Sequence, residues 1–347
     1  MSKSITFAYP GDLNLNTGGY GYDRRVIAGL GEAGWTVSSL GLGSGFPRPS
    51  DNVRREAERR LSALPDGALV LIDGLAFGVL DDWAAREGER LHIVALVHHP
   101  LAFETDLPLT EQDRLLKCES RALSFVRHVV VTSPMTARDL KATFGVPRGR
   151  LTVALPGTDP APLSPCNGNP AHIVCVASLI PRKGHDILVA ALARIRDLPW
   201  HATLAGSPDL SPQTATELRH QIERLGLTDR IALTGECRDA RALMATADIF
   251  ALASRFEGYG MVFAEALSQG LPIVACRAGA IPDVVPESAG LLVPVDDIDA
   301  FAGALKALIV DKPLHARMTA AARQAGTDLP DWTRTTEIIS NTLAALQ

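Results

Sequence analysis

Short apolar runs alternate with amphipathic segments along the chain, which indicates strands that alternate with helices. In the first 150 residues the apolar runs predict strands at Ile5–Tyr9, Thr36–Leu40, Ala68–Ile72, Leu91–Val97 and Val129–Thr132. The segments between them predict helices at Tyr22–Ala33, Asn52–Leu64, Phe77–Arg86, Glu111–Phe125 and Met135–Phe144. Ser133 is the expected N-cap of the last helix, with Pro134 as its first residue. Apolar strands in this alternation are typical of parallel sheets covered on both faces.

The alternation stops at residues 156–170, where five prolines and two glycines favour neither helix nor strand, and then resumes. The second half predicts strands at Ile173–Ala177, Ala202–Ala205, Ile231–Thr234, Ile249–Ala253, Ile273–Cys276 and Leu291–Val293. We therefore expect two doubly wound α/β domains, residues 1–160 and 161–331, facing across a cleft. A last helix over about 332–347 is expected to pack back on the first domain.

Composition excludes several classes of protein. Of the 347 residues, 46% are hydrophobic and 21% are charged, which suits a folded chain with sizeable cores. The net charge is −5 and neither half is basic, so a nucleic-acid-binding domain is not expected. Five cysteines without a close pair fit neither a disulfide framework nor a Cys-rich zinc site. Without a signal-like start or a long apolar segment, we expect a soluble, cytoplasmic protein with no transmembrane segment.

Three motifs resemble functional ones but stand in the wrong setting. Gly29–Gly34 matches GxGxxG, yet a dinucleotide fingerprint opens a helix after a strand, whereas these glycines close a helix. The acidic run Asp296–Asp299 precedes an amphipathic helix, where aspartate is favoured as a cap, with Asp297 as the expected N-cap. Four arginines on one predicted helix interleave with glutamates, which favours a solvated face and leaves a weak membrane-surface contact open: Arg54, Arg55, Arg59 and Arg60.

The most informative stretch is 247–275. Glu257 and Glu265 lie eight residues apart, and the spacing alone means little because Glu111 and Glu119 share it inside an ordinary predicted helix. The setting of the second pair differs. Glu257 follows a strand, and Gly258-Tyr259-Gly260 allows the backbone to approach a ligand closely. A helix then begins near Met261 and Val262 and offers free N–H groups to an anion, with Glu265 one turn further on.

This stretch resembles the signature of the family-4 retaining glycosyltransferases of the GT-B fold, approximately EGFGLVxxEAxAxGxPVVA. Other segments resemble further motifs of that family over about residues 172–310: Val176–Gly184, Gly206, Thr234–Cys237, Ala278–Asp283 and Gly290–Pro294. Two positions depart from the pattern. Ser178 stands near the usual arginine of the first motif, with Arg182 beside Lys183 instead, and Ala280 replaces the second glycine of the GGxPE turn.

The N-terminal half resembles the family in outline. Gly18 and Gly19, within Thr17–Gly21, lie where the family has a Gly-rich loop near the diphosphate and the acceptor, although a plain turn explains them too. His98 follows a strand, at the edge where ligands bind in such sheets, and the family keeps a histidine there beside the transferred sugar. A metal fragment is the alternative for His98-His99-Pro100, but no acidic or cysteine partner is visible in the sequence.

The resemblance implies transfer of a sugar from a UDP- or GDP-linked donor to an unidentified acceptor, with retention of configuration and without a bound metal or other cofactor. It implies that Lys183 and Arg182 neutralise the diphosphate, that Glu257 holds sugar hydroxyls and that Glu265 holds the ribose. Glu236 and Cys237 belong to the loop at the base, and His98 supports the sugar. A nucleotide-sugar epimerase and a non-catalytic two-domain binding protein are the alternatives. The oligomeric state is not predicted.

Overall fold

A computed structural model describes residues 3–105 and 107–347. The chain forms two compact units. The first comprises residues 1–157 together with 330–347, and the second is the continuous segment 158–329.

The first unit is built on a six-stranded parallel sheet. Its strands are β1 Ser4–Tyr9, β2 Thr36–Gly41, β3 Leu69–Asp73, β4 His92–Val97, β5 His128–Val131 and β6 Leu151–Val153. Its helices are α1 Gly18–Glu32, α2 Asp51–Ser62, α3 Gly74–Phe77, α4 Asp81–Glu87, α5 Leu109–Ser124, α6 Pro134–Ala142 and, at the C-terminus, α14 Trp332–Ala344. The strand order is β2-β1-β3-β4-β5-β6, with the fully buried β3 inside the sheet.

The second unit repeats this architecture. Its strands are β7 Ala171–Val176, β8 Trp200–Ala205, β9 Ile231–Gly235, β10 Ile249–Leu252, β11 Ile273–Cys276 and β12 Gly290–Val293. Its helices are α7 His185–Arg194, α8 Pro212–Arg224, α9 Ala240–Met244, α10 Met261–Ser268, α11 Ile281–Val284, α12 Ile298–Val310 and α13 Lys312–Thr327. The six strands are parallel in the order β12-β11-β10-β7-β8-β9.

Each sheet reverses its winding direction at one place, and ligands of open α/β sheets bind at the carboxyl ends of the strands there. In the first unit the reversal lies between β1 and β3, and in the second between β7 and β10. The loops that follow these four strands are therefore the places to look for function.

The C-terminal helix α14 packs on α1. A Cβ at Gly29 would lie 2.2 Å from Thr336 Oγ1, so the two helices approach too closely there for a side chain. The indole of Trp35 donates a hydrogen bond to Ser340 Oγ at 2.9 Å. The GxGxxG match thus closes α1, as predicted: the helix ends at Glu32, and Gly34 turns the chain with φ +84°.

Residues 156–170 form neither helix nor strand, as predicted, yet this segment is held firmly against the second unit. Ser164 is buried, and its N–H donates to the Gln269 carbonyl at 2.9 Å. The Gly168 N–H donates to Asp248 Oδ1 at 2.7 Å. Most of the proline-rich segment is therefore an ordered, irregular part of the second unit.

The predicted caps are confirmed. Ser133 accepts from the Thr136 N–H at 3.0 Å, and Asp297 accepts from the Ala300 N–H at 2.9 Å, so the acidic run caps α12. One helix prediction fails. The segment predicted as one helix from Phe77 forms α3 and α4, because Gly78 ends α3 beneath Leu101, where a Cβ would lie 2.6 Å from a Leu101 methyl. Helix α13, which follows directly on α12, was not predicted from the sequence.

Three of the four arginines of α2 are exposed, as expected, whereas Arg54 is half-buried. Arg59 and Arg60 both bind Glu56 at 2.8 Å on exposed side chains, and Arg55 donates to Asn52. No helix within the described residues is both long enough and apolar enough to cross a bilayer.

Candidate functional site

The winding reversal of the second unit brings two loops together. After β7, a 3₁₀ turn at Pro181–Lys183 leads through Gly184 into α7. Gly184 has φ +64°, and a Cβ there would lie 2.0 Å from the Ala253 carbonyl oxygen of the neighbouring loop. Only glycine allows this approach. A regular helix would point the adjacent Arg182 and Lys183 apart, whereas the 3₁₀ turn directs both toward the loop after β10.

The second loop follows β10 and ends at Gly260, whose φ of +85° makes it the N-cap of α10. Neither α7 nor α10 has a side chain that caps its N-terminal N–H groups. Most of the longer helices elsewhere are capped by serine or aspartate, as α12 is by Asp297. Uncapped N-termini leave N–H groups and the positive end of the helix dipole available to an anion.

Glu257 lies at the centre of this arrangement with only 6% of its side chain exposed. Its Oε1 accepts from Lys183 Nζ and from Ser254 Oγ, each at 2.6 Å, and its Oε2 lies 3.5 Å from Arg182 Nη1. Burial opposes ionisation, but the two cations hold the pKa of the carboxyl below its ordinary value. Burial, together with Arg182, lowers the pKa of Lys183. Two cations and one carboxylate give the cluster a net positive charge.

The backbone of Glu257 is held from a third loop. A Cβ at Gly279 would lie 2.3 Å from the Glu257 carbonyl oxygen, and the Ala280 N–H donates to that oxygen at 2.9 Å. Ala280 has φ −80°, which any residue adopts, so the alanine in the GGxPE-like turn leaves the geometry intact. The contact requires glycine at position 279 alone.

Arg255, on the loop after β10, links that loop to the 3₁₀ turn after β7. Its N–H donates to the Arg182 carbonyl at 2.8 Å, and its guanidinium binds Asp186 and Asp296, each at 2.8 Å. Arg182 itself lies within 4 Å of the Glu257 carboxylate, beside Lys183.

The remaining predicted donor residues lie around this centre at different depths. Tyr259 is buried, and burial raises the pKa of its phenol to about 12. Glu265, one turn into α10, is half-buried, and burial raises the pKa of its carboxyl while the nearby Arg241 opposes that shift. Glu236 and Cys237 follow β9, which is two strands away from β7. The structure thus joins Arg182, Lys183 and Glu257 directly, whereas Glu236 and Cys237 follow a strand at the edge of the sheet.

A second cluster lies at the winding reversal of the first unit. His98 follows β4, and its Nε2 donates to Asp23 Oδ1 at 3.1 Å, with Asp73 Oδ2 at 4.0 Å. Both carboxylates are buried. Gly19 lies beside the ring, because a Cβ there would be 3.6 Å from His98 Cδ2. The expectation that His98 has no acidic partner is wrong.

Gly18 and Gly19 were expected in a loop before the helix. In the structure they are the first residues of α1. Thr17 caps that helix, since its hydroxyl accepts from the Tyr20 N–H, and an N-cap favours helix from the next residue on. Sequence signals for the missed acids exist. Asp73 ends an apolar strand, and Asp23 occupies the buried face of α1 with Val26 and Leu30, at i, i+3 and i+7.

Comparison with known proteins matches both halves of the chain to glycosyltransferases. The family model described as "Glycosyl transferases group 1" matches residues 170–311, and that described as "Glycosyltransferase Family 4" matches residues 45–162. A D-inositol 3-phosphate glycosyltransferase of Corynebacterium glutamicum is 30% identical over 69% of this chain, and the match spans 62% of that relative's length. An MMP alpha-(1->4)-mannosyltransferase of Mycolicibacterium hassiacum is 30% identical over 79% of this chain and 69% of its own.

Solved structures show the same fold. A sucrose-phosphate synthase of Thermosynechococcus elongatus superposes with a TM-score of 0.83 at 21% identity, over 99% of both chains. Anabaena HepE, solved with UDP and glucose, superposes with a TM-score of 0.78 at 20% identity, over 98% of this chain and 99% of its own.

Proposed function

Because this chain belongs to the family-4 glycosyltransferases of the GT-B fold, we propose that it transfers a sugar from a nucleotide diphosphate to an acceptor hydroxyl with retention of configuration. The second unit binds the donor, linked to UDP or GDP, and the first unit binds the acceptor. Both nucleotides are candidates, since HepE was solved with UDP and a 35% identical Mycobacterium tuberculosis mannosyltransferase, matched over 45% of this chain and 43% of its own, is named as GDP-mannose-dependent.

The observation that carries this proposal is the cluster of Arg182, Lys183 and Glu257 between two uncapped helix N-termini. A diphosphate is an anion that needs charge-assisted donors, and this place offers a guanidinium, an ammonium and backbone N–H groups. The cations also neutralise the charge that grows on the departing diphosphate, which no bound metal is then required to do.

Glu257 performs two tasks in this scheme. Through Oε1 it fixes Lys183, which keeps the ammonium where the diphosphate leaves. Its Oε2, 3.5 Å from Arg182, retains acceptor capacity for a hydroxyl of the transferred sugar. In retention the acceptor attacks the face from which the diphosphate departs, so sugar and leaving group are held by one connected set of side chains. Glu265 accepts from the ribose, and His98 contacts the sugar.

The proposal is tested by thermal shift with UDP, GDP, ADP and their sugars. Ligand at one hundred times its dissociation constant stabilises a protein by about 2.7 kcal/mol, so a donor nucleotide raises the melting temperature measurably. A Lys183→Met variant shows a smaller shift at the same nucleotide concentration, whereas Lys306→Met, which removes an exposed lysine of α12, keeps the full shift. Absence of a shift with every nucleotide contradicts the proposal. Once an acceptor is found, the anomeric coupling constant of the product reports retention or inversion.

A further inference from the structure

The histidine cluster of the first unit poses a question about charge. The carboxylate of Asp23 can only accept, so His98 Nε2, 3.1 Å away, carries a proton. If the ring is neutral, its other nitrogen, Nδ1, has a lone pair and can act as a base. If the ring is an imidazolium, Nδ1 carries a proton and can only donate. These two states give His98 opposite roles toward a substrate.

The surroundings of His98 decide between the two states. A carboxylate oxygen of Asp23, a carboxylate oxygen of Asp73 and a ring nitrogen of His98 all lie within 4.8 Å of one another. Both aspartates are buried, with 0% of Asp23 and 2% of Asp73 exposed. Two buried carboxylates this close cannot both be ionised without a large cost, so they hold a proton between them. The remaining negative charge then faces Nε2.

One orphaned atom shows where that proton lies. Asp23 Oδ2 is buried and has no hydrogen-bond donor within residues 3–105 and 107–347. Asp73 is the partner that can supply one, if its carboxyl is protonated. Its Oδ1 is already occupied by the Leu75 N–H at 2.6 Å. Burial and the neighbouring Asp23 raise the pKa of Asp73 to about 8, in agreement with a neutral Asp73.

We propose that Asp23 and Asp73 share one proton and hold His98 as an imidazolium, so that Nδ1–H is a charged hydrogen-bond donor to a substrate oxygen and His98 is not a base. Asp23 and Asp73 are positioning residues in this scheme, because they act through His98. The substrate role of Nδ1 rests on the proposed function, whereas the charge state does not.

The other groups around the ring do not alter this balance. From α1, Tyr22 presents its ring at 5.4 Å in an edge-to-face arrangement, and burial raises the pKa of its phenol, so it stays neutral. Burial raises the pKa of Tyr20 to about 12. Thr132, just after β5, and Thr136 of α6 donate hydroxyl hydrogen bonds to the His98 carbonyl. Burial disfavours the imidazolium, but the Asp23 carboxylate that faces Nε2 raises the pKa of His98 above its ordinary value.

The charge state is measured without substrate, by ¹⁵N NMR of the histidine rings as a function of pH after treatment with a chelator. His98→Gln assigns the signal, and the exposed His220 on α8 is the internal reference. We expect His98 to titrate at higher pH than His220. Asp23→Asn removes the facing charge and lowers the midpoint by about one pH unit or more. Asp73→Asn mimics the protonated acid, keeps the acceptor for Leu75, and leaves the midpoint in place.

Three results overturn the proposal. A wild-type midpoint at or below that of His220 shows that the ring is neutral. An equal fall in both variants shows that Asp73 carries charge and not the shared proton. Broadening of the His98 signal by one equivalent of Mn²⁺, lost in both variants, shows that the three side chains hold a cation instead. None of these readouts depends on activity, so failure here is distinct from failure of the proposed transfer.

Discussion

Replacement of Lys183 by methionine tests whether the ion pair with Glu257 is a unit of the donor site. The variant removes the ammonium that lies 2.6 Å from Glu257 Oε1 and leaves a carboxylate of which 6% is exposed. Loss of one partner of a buried pair costs about 3–5 kcal/mol. Ser254 still donates to Oε1, and Arg182 still lies 3.5 Å from Oε2, so we expect a free energy of unfolding lower by about 3 kcal/mol.

A double-mutant cycle isolates the pair. Glu257→Gln alone leaves two neighbouring cations without their anion and is also expected to destabilise the protein. The double variant Lys183→Met/Glu257→Gln removes both charges, so its destabilisation is expected to fall short of the sum by about 2 kcal/mol. Urea denaturation of the four proteins gives this coupling energy, with Lys306→Met as the control, expected within about 0.5 kcal/mol of wild type. Additivity within about 0.5 kcal/mol refutes the reasoning.

Turnover separates the catalytic part of the pair from its structural part. The double variant is more stable than the sum of the single changes predicts, but it remains inactive, because the diphosphate still lacks its ammonium. Lys183→Ala lowers turnover more than donor affinity, since the charge on the leaving group grows toward the transition state. Arg182→Ala has the same effect more weakly. If Arg182→Ala matches wild type in kcat/KM, Arg182 serves only to position Glu257.

Three further outcomes are expected. Glu265→Ala weakens nucleotide binding in calorimetry by about 1.5–3 kcal/mol through loss of a charged acceptor, whereas the exposed Glu223→Ala on α8 does not; equal affinities contradict the ribose role. Transfer survives excess EDTA, because side-chain cations serve the diphosphate; loss of activity that Mg²⁺ or Mn²⁺ restores refutes this. Burial raises the pKa of Glu119 to about 8, so the folded state binds an extra proton and loses stability as pH rises from about 4.5 to 8. Glu119→Gln abolishes this loss, which is of order 3 kcal/mol at pH 7 and is measured by urea denaturation at several pH values. If the variant keeps the pH slope of wild type, Glu119 is not the group responsible.

Glu119 also shows where sequence reasoning fails. The sequence predicts an ordinary surface helix around Glu119, so Glu119→Ala would serve as a control that leaves nucleotide binding unchanged beside Glu265→Ala. In the structure Glu119 is buried and accepts from the Leu101 N–H at 2.8 Å, so that variant would disturb the fold. Nothing in the local pattern reveals this, because the partner lies 18 residues earlier on another element. The exposed Glu223 is therefore the suitable control for Glu265→Ala.

Features encoded locally were predictable. Apolar runs predicted the strands except β6, Ser133 and Asp297 predicted caps, and the glycines around Glu257 predicted the turn between β10 and α10. Contacts between distant elements were not predictable: Gly279 against the Glu257 backbone, and Asp23 with Asp73 beside His98. The spacing of such residues along the chain varies with every intervening loop. Only the strand order, which places the ends of β1, β3 and β4 at one edge, turns them into a cluster.

The division of the chain has a consequence for how this protein is made. Residues 158–329 form the second unit without interruption, while the first unit needs α14, which comes after it. During synthesis the first unit therefore lacks α14 until the whole second unit has left the ribosome. Until then the face of α1 around Gly29 and Trp35 stays uncovered. The second unit can complete its fold in the meantime. The first unit thus receives its last helix after the second unit is complete in sequence, and residues 158–329 are the piece to express alone.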